Sequence, residues 1–293
     1  MDTYSQDCWT DAQWTQIQEA VRDEARKQRV AASFLPLYGP LPEDQQTVSL
    51  QSLEINPLEP PENPDFLEVG DFQTRRLTVL SVRVALRSSQ VAQADLSTAL
   101  VAFRRAATLI ARAEDQLVFN GQAAANAPVV GLPQVFATGG DTFLGLFLTA
   151  IGRGQVDRIL APFDGPQLVA AVTRATGALE QAGHLGPFAL VLNTELFTTA
   201  YDPLPNSLVL PADRIKPLLG GPLLRSSLMN LGGPEVGVVV SLSAELLDLV
   251  IASEIGVRLI QVTTSASPRH VFRVSERLTL RIKQPTAIRV LMR

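Results

Sequence analysis

The sequence has 293 residues and a mass of 31.7 kDa, enough for one large domain or two ordinary ones. Hydrophobic residues make up 46% of the chain, charged residues make up 18%, and the mean hydropathy is +0.15. This composition excludes a disordered chain and is too apolar for a typical soluble monomer, so part of the surface is expected to meet other subunits, while the net charge of −4 gives no overall attraction to nucleic acid.

The N-terminal region predicts a cytoplasmic protein. Residues 1–7 have no basic flank and no apolar stretch behind them, so they lack the form of a secretory signal. Cys8 is the single cysteine, which allows no intrachain disulfide and no cysteine-based zinc site, as expected in a reducing compartment. The best apolar run, residues 143–151, is far shorter than the roughly 18 residues of a membrane helix. We therefore expect no membrane partner.

Residues 9–30 predict an amphipathic helix. Its apolar positions follow helical spacing, and Thr10 stands where an N-cap is needed. The opposite face is polar, so the helix can lie on its own domain or present a narrow apolar stripe to another surface. The apolar positions are Trp14, Ile17, Val21 and Ala25.

A long hairpin arm is predicted after this helix. Residues 34–42 hold three prolines and suit an extended connector, and residues 56–64 hold four, which marks an exposed, semi-rigid loop. Residues 75–87 then form a β-branched run with partial alternation, as in a strand. We interpret the three segments together as an arm that projects from the body.

The clearest helix is predicted over residues 95–120, with Asp95 as the N-cap and Gly121 as the terminator. At about 1.5 Å per residue such a helix is close to 40 Å long and forms a spine for its domain. A second helix is predicted over residues 166–182.

The second half of the chain is rich in predicted strands, without regular alternation of strand and helix. That mixture indicates an α+β class. Asn193 or Thr194 is placed to cap a further helix. The predicted strands cover residues 186–193, 236–241, 246–255, 257–262 and 271–282.

Catalytic signatures are missing from the sequence: it has no phosphate-binding loop, no dinucleotide fingerprint, no nucleophile elbow and no zinc-protease motif. The two histidines, His184 and His270, leave little room for a triad together with a metal site. We read His184 as structural, because it stands in a helix-ending turn where it can bond a terminal carbonyl. We therefore predict no catalytic residue, no metal and no cofactor.

Short segments spread over nearly the whole chain carry a family resemblance. They are Trp14 and Ile17, residues 38–41, 46–48, 113–121, 131–132 and 186–192, and at the C-terminal end residues 272–276 and 280–288. In this order and at this length, they resemble the family 1 encapsulins, bacterial shell proteins related to linocin and built on the tailed-phage major-capsid fold. The resemblance implies an α+β fold with an N-terminal helix, an extended loop arm, a peripheral domain with a long spine helix, and an axial domain.

The resemblance also implies a division of the chain. Residues 1–47 would form the N-terminal helix and connector of the peripheral domain, and residues 48–89 the extended arm. Residues 90–143 would hold the spine helix, residues 144–241 the axial domain, and residues 242–293 the return strands of the peripheral domain. A loop lining the five-fold pore would contain Pro205, Asn206, Ser207 and Leu208. Such a pore has no acidic ring and would pass small solutes with little charge selectivity.

By the same resemblance, sixty copies or an icosahedral multiple would assemble into a closed nanocompartment. The shell would enclose a cargo enzyme, either a peroxidase or a ferritin-like iron protein, with a role in oxidative-stress defence or iron storage. A C-terminal targeting peptide on the cargo would dock on the inner wall. The docking residues implied by position are Val30, Ala31, Phe34, Pro36, Leu249, Ile251, Ile255 and Val257.

Two other functions remain open from the sequence. A phage or prophage major capsid protein shares the fold and would package DNA, although the acidic balance favours protein contents. An enzyme acting as a small oligomer is the second, and it is disfavoured by the scarce histidines and the missing motifs.

Overall fold

Helices and strands of very different length follow one another along the chain. The computed structural model describes residues 8–42, 44–51, 73–125, 134–203, 209–229, 236–263 and 267–293. Within those ranges the helices are α1 Asp11–Gln28, α2 Ala31–Phe34, α3 Ser88–Val91, α4 Ser97–Asn120, α5 Gln122–Ala125, α6 Leu146–Gly152, α7 Gly165–Gln181, α8 Thr194–Tyr201 and α9 Pro211–Leu219, with a 3-10 turn at Pro285–Ala287. The strands are β1 Leu37–Tyr38, β2 Thr47–Ser49, β3 Thr74–Arg76, β4 Thr78–Arg87, β5 Phe136–Gly139, β6 Val156–Arg158, β7 Phe188–Leu192, β8 Gly220–Arg225, β9 Val236–Ser241, β10 Leu247–Val262, β11 Arg269–Ile282 and β12 Ile288–Met292.

The first sheet has the strand order β1-β10-β11-β4-β5 and is built around the long β10–β11 hairpin. One side of this sheet, which we call the helix side, is covered by α1 and α4. Phe272, Val274 and Leu278 point to the helix side and are buried, whereas Arg273 between them is exposed on the opposite, outer side. Alternation along a strand therefore separates a core side from a side turned away from the helices.

Helix α1 forms as the sequence predicts. The Thr10 side chain accepts a hydrogen bond from the Gln13 backbone, and the Gln13 side chain bonds back to Thr10, which completes a capping box. The helix buries its apolar stripe, with Ile17 and Val21 fully enclosed. This stripe packs on α4 and β10, so the helix lies on its own domain.

The spine helix α4 ends where predicted and starts two residues later than predicted. Gly121 ends it with a φ of 91°, and a Cβ there would lie 2.5 Å from the Phe143 carbonyl oxygen. At the start, Leu96 with a φ of 55° occupies the N-cap position. Asp95 still accepts a hydrogen bond from the Ser97 backbone at 3.3 Å, so its side chain contributes to the helix start from one residue further out.

The return strand β10 differs from the two strands predicted over residues 246–255 and 257–262. It is one 16-residue strand that continues through Gly256. Shifts in its register with β11 fall between Ile251 and Ser253, between Ser253 and Gly256, and after Leu259. Bulges absorb the irregular residues without ending the strand, which is why the apparent break in the sequence pattern does not divide it.

The second sheet has the strand order β6-β12-β9-β7-β8. Residues of β7, β9 and β12 on one side join the large core shared with the first sheet, and residues on the other side pack against α7, α8 and α9. Strand β12, near the C-terminal end of the chain, belongs to this sheet. The 3-10 turn at Pro285–Ala287 redirects the chain, and the buried Ile288 and Val290 then pair with β9.

The root of the predicted arm is a small sheet of its own. Strands β2 and β3 are antiparallel, with Thr47 opposite Arg76 and Ser49 opposite Thr74. The proline-rich part of the arm, residues 52–72, lies outside the described residues. No described helix is long and apolar enough to cross a membrane.

Candidate functional site

An aromatic cluster holds the N-terminal end of α1. Trp9 stacks on Phe272 with ring centroids 4.9 Å apart, and Trp14 meets Trp9 edge-on at 5.1 Å. Phe103 from α4 meets Phe272 edge-on at 5.3 Å. The indole N–H of Trp9 donates to the Val91 carbonyl at 2.9 Å, so this polar group is also satisfied. The helix is therefore fixed against both α4 and β11 before it runs along the sheet.

A buried ionic cluster holds the other end of α1. The Arg29 guanidinium lies 2.8 Å from the Glu114 carboxylate in α4 and 2.5 Å from the Glu276 carboxylate in β11. Both glutamates are buried. Burial and the neighbouring Glu276 charge raise the pKa of Glu114 well above its ordinary value, although Arg29 opposes this, and burial also raises the pKa of Glu276. Because Glu114 and Glu276 share the single positive charge of Arg29, one proton is favoured on this pair of carboxyl groups.

Asp115 fixes the start of α2. Its carboxylate accepts hydrogen bonds from the backbone N–H of Ala31 at 2.7 Å and of Val30 at 3.1 Å. Burial raises the pKa of Asp115 to about 7, although these two N–H groups and Arg29 act to lower it. The spine helix therefore positions the connector through charged and hydrogen-bonded groups as well as apolar contacts.

The eight residues predicted to bind a cargo peptide lie in one region, and most of them are interior. Val30 and Pro36 are half-buried. The others are enclosed: Ala31 and Leu249 are 0% exposed, Ile255 2%, Val257 3%, Phe34 7% and Ile251 9%. The reason is that these residues point to the helix side, where α1, α2 and α4 cover them. Most of these residues therefore belong to the core that the sheet shares with α1, α2 and α4, and only a narrow margin of the region is accessible.

The accessible margin is a groove of about 700 Å³ along β10. Ile255 and Val257 contribute to its lining, and polar side chains surround them. Arg22 of α1 and Glu254 of β10 face each other across it at 3.5 Å, both largely exposed. The groove therefore combines a small apolar lining with charged and hydrogen-bonding groups.

Gln18 occupies part of this groove, and no motif in the sequence pointed to it. Its side-chain amide donates to the Val257 carbonyl at 2.8 Å, and its Oε1 accepts from the Val257 backbone N–H at 3.1 Å. One side chain thus pairs with both backbone groups of Val257, as a neighbouring strand would. The sequence feature that could have indicated Gln18 is its position next to Ile17, at the border of the apolar stripe of α1.

The open side of β10 explains why this pairing is possible. Strand β1 pairs with β10 only at Leu249 and Val250. Beyond Val250, no described strand lies on that side of β10. The backbone next to the groove therefore resembles a sheet edge, a place where an extended peptide can add main-chain hydrogen bonds.

The other residues singled out from the sequence do not form a second site in the part of the chain described. His184 lies 2.8 Å from the Thr286 hydroxyl, and burial lowers its pKa. Its partner is thus a side chain of the turn before β12, in place of the helix carbonyl expected. Across the described ranges, no group of three His, Cys, Asp or Glu side chains is placed to hold a metal ion. The predicted pore-loop residues, Pro205, Asn206, Ser207 and Leu208, lie outside the described residues.

Solved structures with this fold come from shells and capsids. The virus-like particle of Pyrococcus furiosus superposes with a TM-score of 0.61 at 17% identity, covering 95% of this chain and 99% of that one. A structure of Mycobacterium phage Bobi superposes with a TM-score of 0.61 at 16% identity, covering 100% of this chain and 95% of that one. The SrpI encapsulin complex of Synechococcus elongatus superposes with a TM-score of 0.57 at 12% identity, covering 89% of this chain and 88% of that one. The α+β capsid-type fold is confirmed, and it is shared by encapsulins and phage capsids alike.

Sequence comparison separates these two groups. The chain is 29% identical to the type 1 encapsulin shell protein EncA of Myxococcus xanthus, over 94% of this chain and 91% of the relative. It is 26% identical to the diheme-cytochrome-encapsulin shell fusion protein of Kuenenia stuttgartiensis, over 94% of this chain and 71% of the relative. The family model Linocin_M18, described as an encapsulating protein for peroxidase, matches residues 6–138 and 151–279. The chain therefore belongs to the Linocin_M18 family of encapsulating proteins, the encapsulin shell proteins.

Proposed function

We propose that copies of this chain assemble in the cytoplasm into a closed icosahedral shell, of sixty subunits or a multiple, that encloses a cargo protein. The observation that carries this proposal is the family match over most of the chain, together with the capsid-type fold. The surface supports it, because large apolar side chains remain outward on a chain with only 18% charged residues. Leu185 is 75% exposed, Val101 68% and Leu37 57%.

The test of assembly is size-exclusion chromatography with light scattering on the purified protein. We expect megadalton particles with a narrow mass distribution, because closed symmetry sums many modest contacts into one stable object. A monomer or small oligomer across a range of protein concentration and salt would contradict the proposal and would reopen the search for an enzyme active site.

We propose a peroxidase as the cargo, since the matching family is described by that partner. A ferritin-like iron protein is the second candidate. Mass spectrometry of particles from the native source identifies the enclosed protein. Enrichment of a peroxidase at a fixed ratio to shell protein supports the first candidate, and particles without enclosed protein contradict cargo loading.

We propose that the cargo is recruited to the inner wall of the shell by its C-terminal peptide, which docks in the groove between α1 and β10. Beyond Val250, the side of β10 without a described neighbouring strand offers main-chain hydrogen bonds at positions other than Val257, which Gln18 occupies. Ile255 and Val257 offer a small apolar lining. The enclosed residues Ala31, Phe34, Leu249 and Ile251 would support this surface from below, and the half-buried Val30 and Pro36 would border it.

Blocking the groove tests this assignment. Ser253 lines the groove and is half-buried, so Ser253→Trp should fill the groove and strongly reduce cargo in the particles while shells still form. Thr198→Trp, at an exposed position of α8, is the matched control. Removing the last residues of the cargo should have the same effect as Ser253→Trp. Unchanged loading after both changes would contradict the docking site.

The shell itself is proposed to do no chemistry and to act by enclosure. Cargo-free particles should therefore show no turnover with peroxidase substrates, and robust activity without cargo would contradict this.

We also propose that residues 205–208 line a five-fold pore and that the chain divides into arm, peripheral and axial parts as the family resemblance implies. The sequence of the loop, Pro205 to Leu208, contains no acidic residue, which supports a pore with little charge selectivity.

A further inference from the structure

A second cleft, of about 510 Å³, lies between elements that belong to the two sheets. On one side it is lined by the end of α1 and the second half of α4, which cover the first sheet. On the other side it is lined by the start of α8, the end of β8 and residues 226–228. Its size is in the range of small-molecule sites in proteins. We call this space the arginine cleft, because Arg112 of α4 and Arg225 of β8 both line it.

The two arginines bring positive charge to the cleft without a matching anion. Both side chains are exposed, and neither forms an ion pair with a carboxylate of the described residues. The Arg225 guanidinium carbon lies 5.6 Å from the centre of the Phe197 ring, which supports the side chain by its face and leaves its N–H groups available. Two such guanidinium groups beside one concave space, in a chain with a net charge of −4, indicate a site for an external anion.

The loop after β8 adds hydroxyl groups in a fixed position. The Ser226 backbone N–H donates to the Leu192 carbonyl at 2.9 Å, and the Ser226 Oγ accepts from the Leu228 N–H at 3.3 Å. Ser226 is 3% exposed and lines the cleft, and its hydroxyl proton remains available to a ligand. The Leu228 carbonyl accepts from the Asn120 side chain of α4 at 3.2 Å, which ties the loop to the spine helix. The donors are therefore held in place before a ligand binds.

Asp115 is the single acidic residue among the described residues that line the cleft. Its carboxylate accepts from the Ala31 and Val30 N–H groups, and burial raises its pKa to about 7, so near neutral pH this group carries only part of a negative charge. A carboxylate also accepts a hydrogen bond from a ligand that keeps a proton of its own. Phosphate groups have a second pKa of about 6 and keep a proton part of the time, whereas sulfate does not. Asp115 thus favours phosphate over sulfate.

We propose that the arginine cleft binds a small molecule through a phosphate group, with Arg112 and Arg225 donating to the phosphate oxygens and Ser226 adding a hydroxyl donor. Arginine donates in pairs to phosphate, and a phosphate group offers more acceptor oxygens than a carboxylate does. The volume of the cleft leaves room for an organic group beside the phosphate, so inorganic phosphate and a phosphate monoester share the required chemistry. The site lies within one subunit, so binding requires neither cargo nor a closed shell.

Calorimetric titration of the purified protein with inorganic phosphate, at constant chloride concentration, tests the site. We expect saturable binding of one phosphate per chain, and weaker binding of sulfate under the same conditions. Absence of saturable binding would overturn the proposal. Equal affinity for sulfate would also overturn it, because general attraction of anions does not distinguish the two ions.

Removing either guanidinium locates the bound phosphate. Arg112→Gln and Arg225→Gln should each weaken phosphate binding by about tenfold or more, because each removes charge-assisted hydrogen bonds. Both positions are exposed, so the melting temperature without phosphate should stay that of the parent. Arg104→Gln makes the same change at another exposed position of α4, outside the cleft, and should bind as the parent does. Unchanged affinity in both cleft variants, or an equal loss in Arg104→Gln, would overturn the proposal.

Titration with adenosine monophosphate and glycerol phosphate distinguishes the two sources of the phosphate group. Tighter binding of either monoester than of inorganic phosphate would support an organic ligand, and the reverse order would support inorganic phosphate. In both cases Arg112→Gln should weaken the tighter ligand by the same factor of about ten or more. A ligand whose affinity does not change in Arg112→Gln binds elsewhere, and that result would overturn the assignment of the cleft.

Discussion

Arg281 and Asp248 show how single residues secure the base of the β10–β11 hairpin. Two hydrogen bonds join the guanidinium and the carboxylate at 2.7 and 2.6 Å, and Lys283 reaches the same carboxylate at 3.0 Å. The ring of Tyr38 lies 4.4 Å from the Arg281 guanidinium carbon. The pair is almost fully buried, so its geometry must compensate the loss of water around two charges.

Removing the shared carboxylate is therefore expected to be costly. Asp248→Ala leaves two buried cations without their anion and should lower the free energy of unfolding of the dissociated subunit by about 3–5 kcal/mol. Asp213→Ala removes an exposed partner of Lys216 and should cost less than about 1 kcal/mol. Urea unfolding of both variants measures the difference, and equal costs would contradict the structural role of Asp248.

Asp115 gives the subunit a pH dependence of defined sign. Its pKa is about 7 in the folded chain against an ordinary value of 3.8, so the folded state binds its proton more tightly than the unfolded state does. This contribution is full below the ordinary value and is lost as the pH rises through 7. The fall in unfolding free energy between about pH 5 and pH 8 should therefore be smaller in Asp115→Asn than in the parent. An identical pH profile in both would contradict the burial of this group, and Asp213→Asn serves as the exposed control.

At the scale of elements, the sequence predicted those whose signals are local. The N-cap Thr10 of α1 and the glycine that ends α4 are both set by a few neighbouring residues, and both predictions are confirmed. The break predicted within β10 was wrong because bulges paired with β11 carry the strand through Gly256. The capping of Val257 by Gln18 was also not predicted, since it joins residues 239 positions apart.

That capping yields a prediction about the edge of β10. Gln18→Met removes both the donor to the Val257 carbonyl and the acceptor of the Val257 N–H while keeping similar size, so the Val257 amide should exchange faster with solvent. Hydrogen exchange with mass spectrometry over β10 measures the change. Glu19→Gln, exposed on the same helix, is the control. Unchanged protection of β10 in Gln18→Met would contradict the bridging role.

At the scale of the whole molecule, the fold and family were predictable because sequence anchors recur in order over almost the entire chain, and the family match confirms them. The binding surface was less predictable. Side chains such as Leu249 and Phe34 have the apolar character of a peptide pocket, but whether they face a peptide or the core depends on how α1 and α4 cover the sheet. Apolar character alone does not decide between the two.

The central claim is that this chain builds a closed container, and electron microscopy of the purified high-mass fraction tests it most directly. We expect hollow particles of uniform diameter with icosahedral symmetry, from which the number of subunits follows, and protein density inside particles from the native source. Open sheets, tubes, irregular aggregates or discrete small oligomers under conditions where the subunit is folded would contradict it.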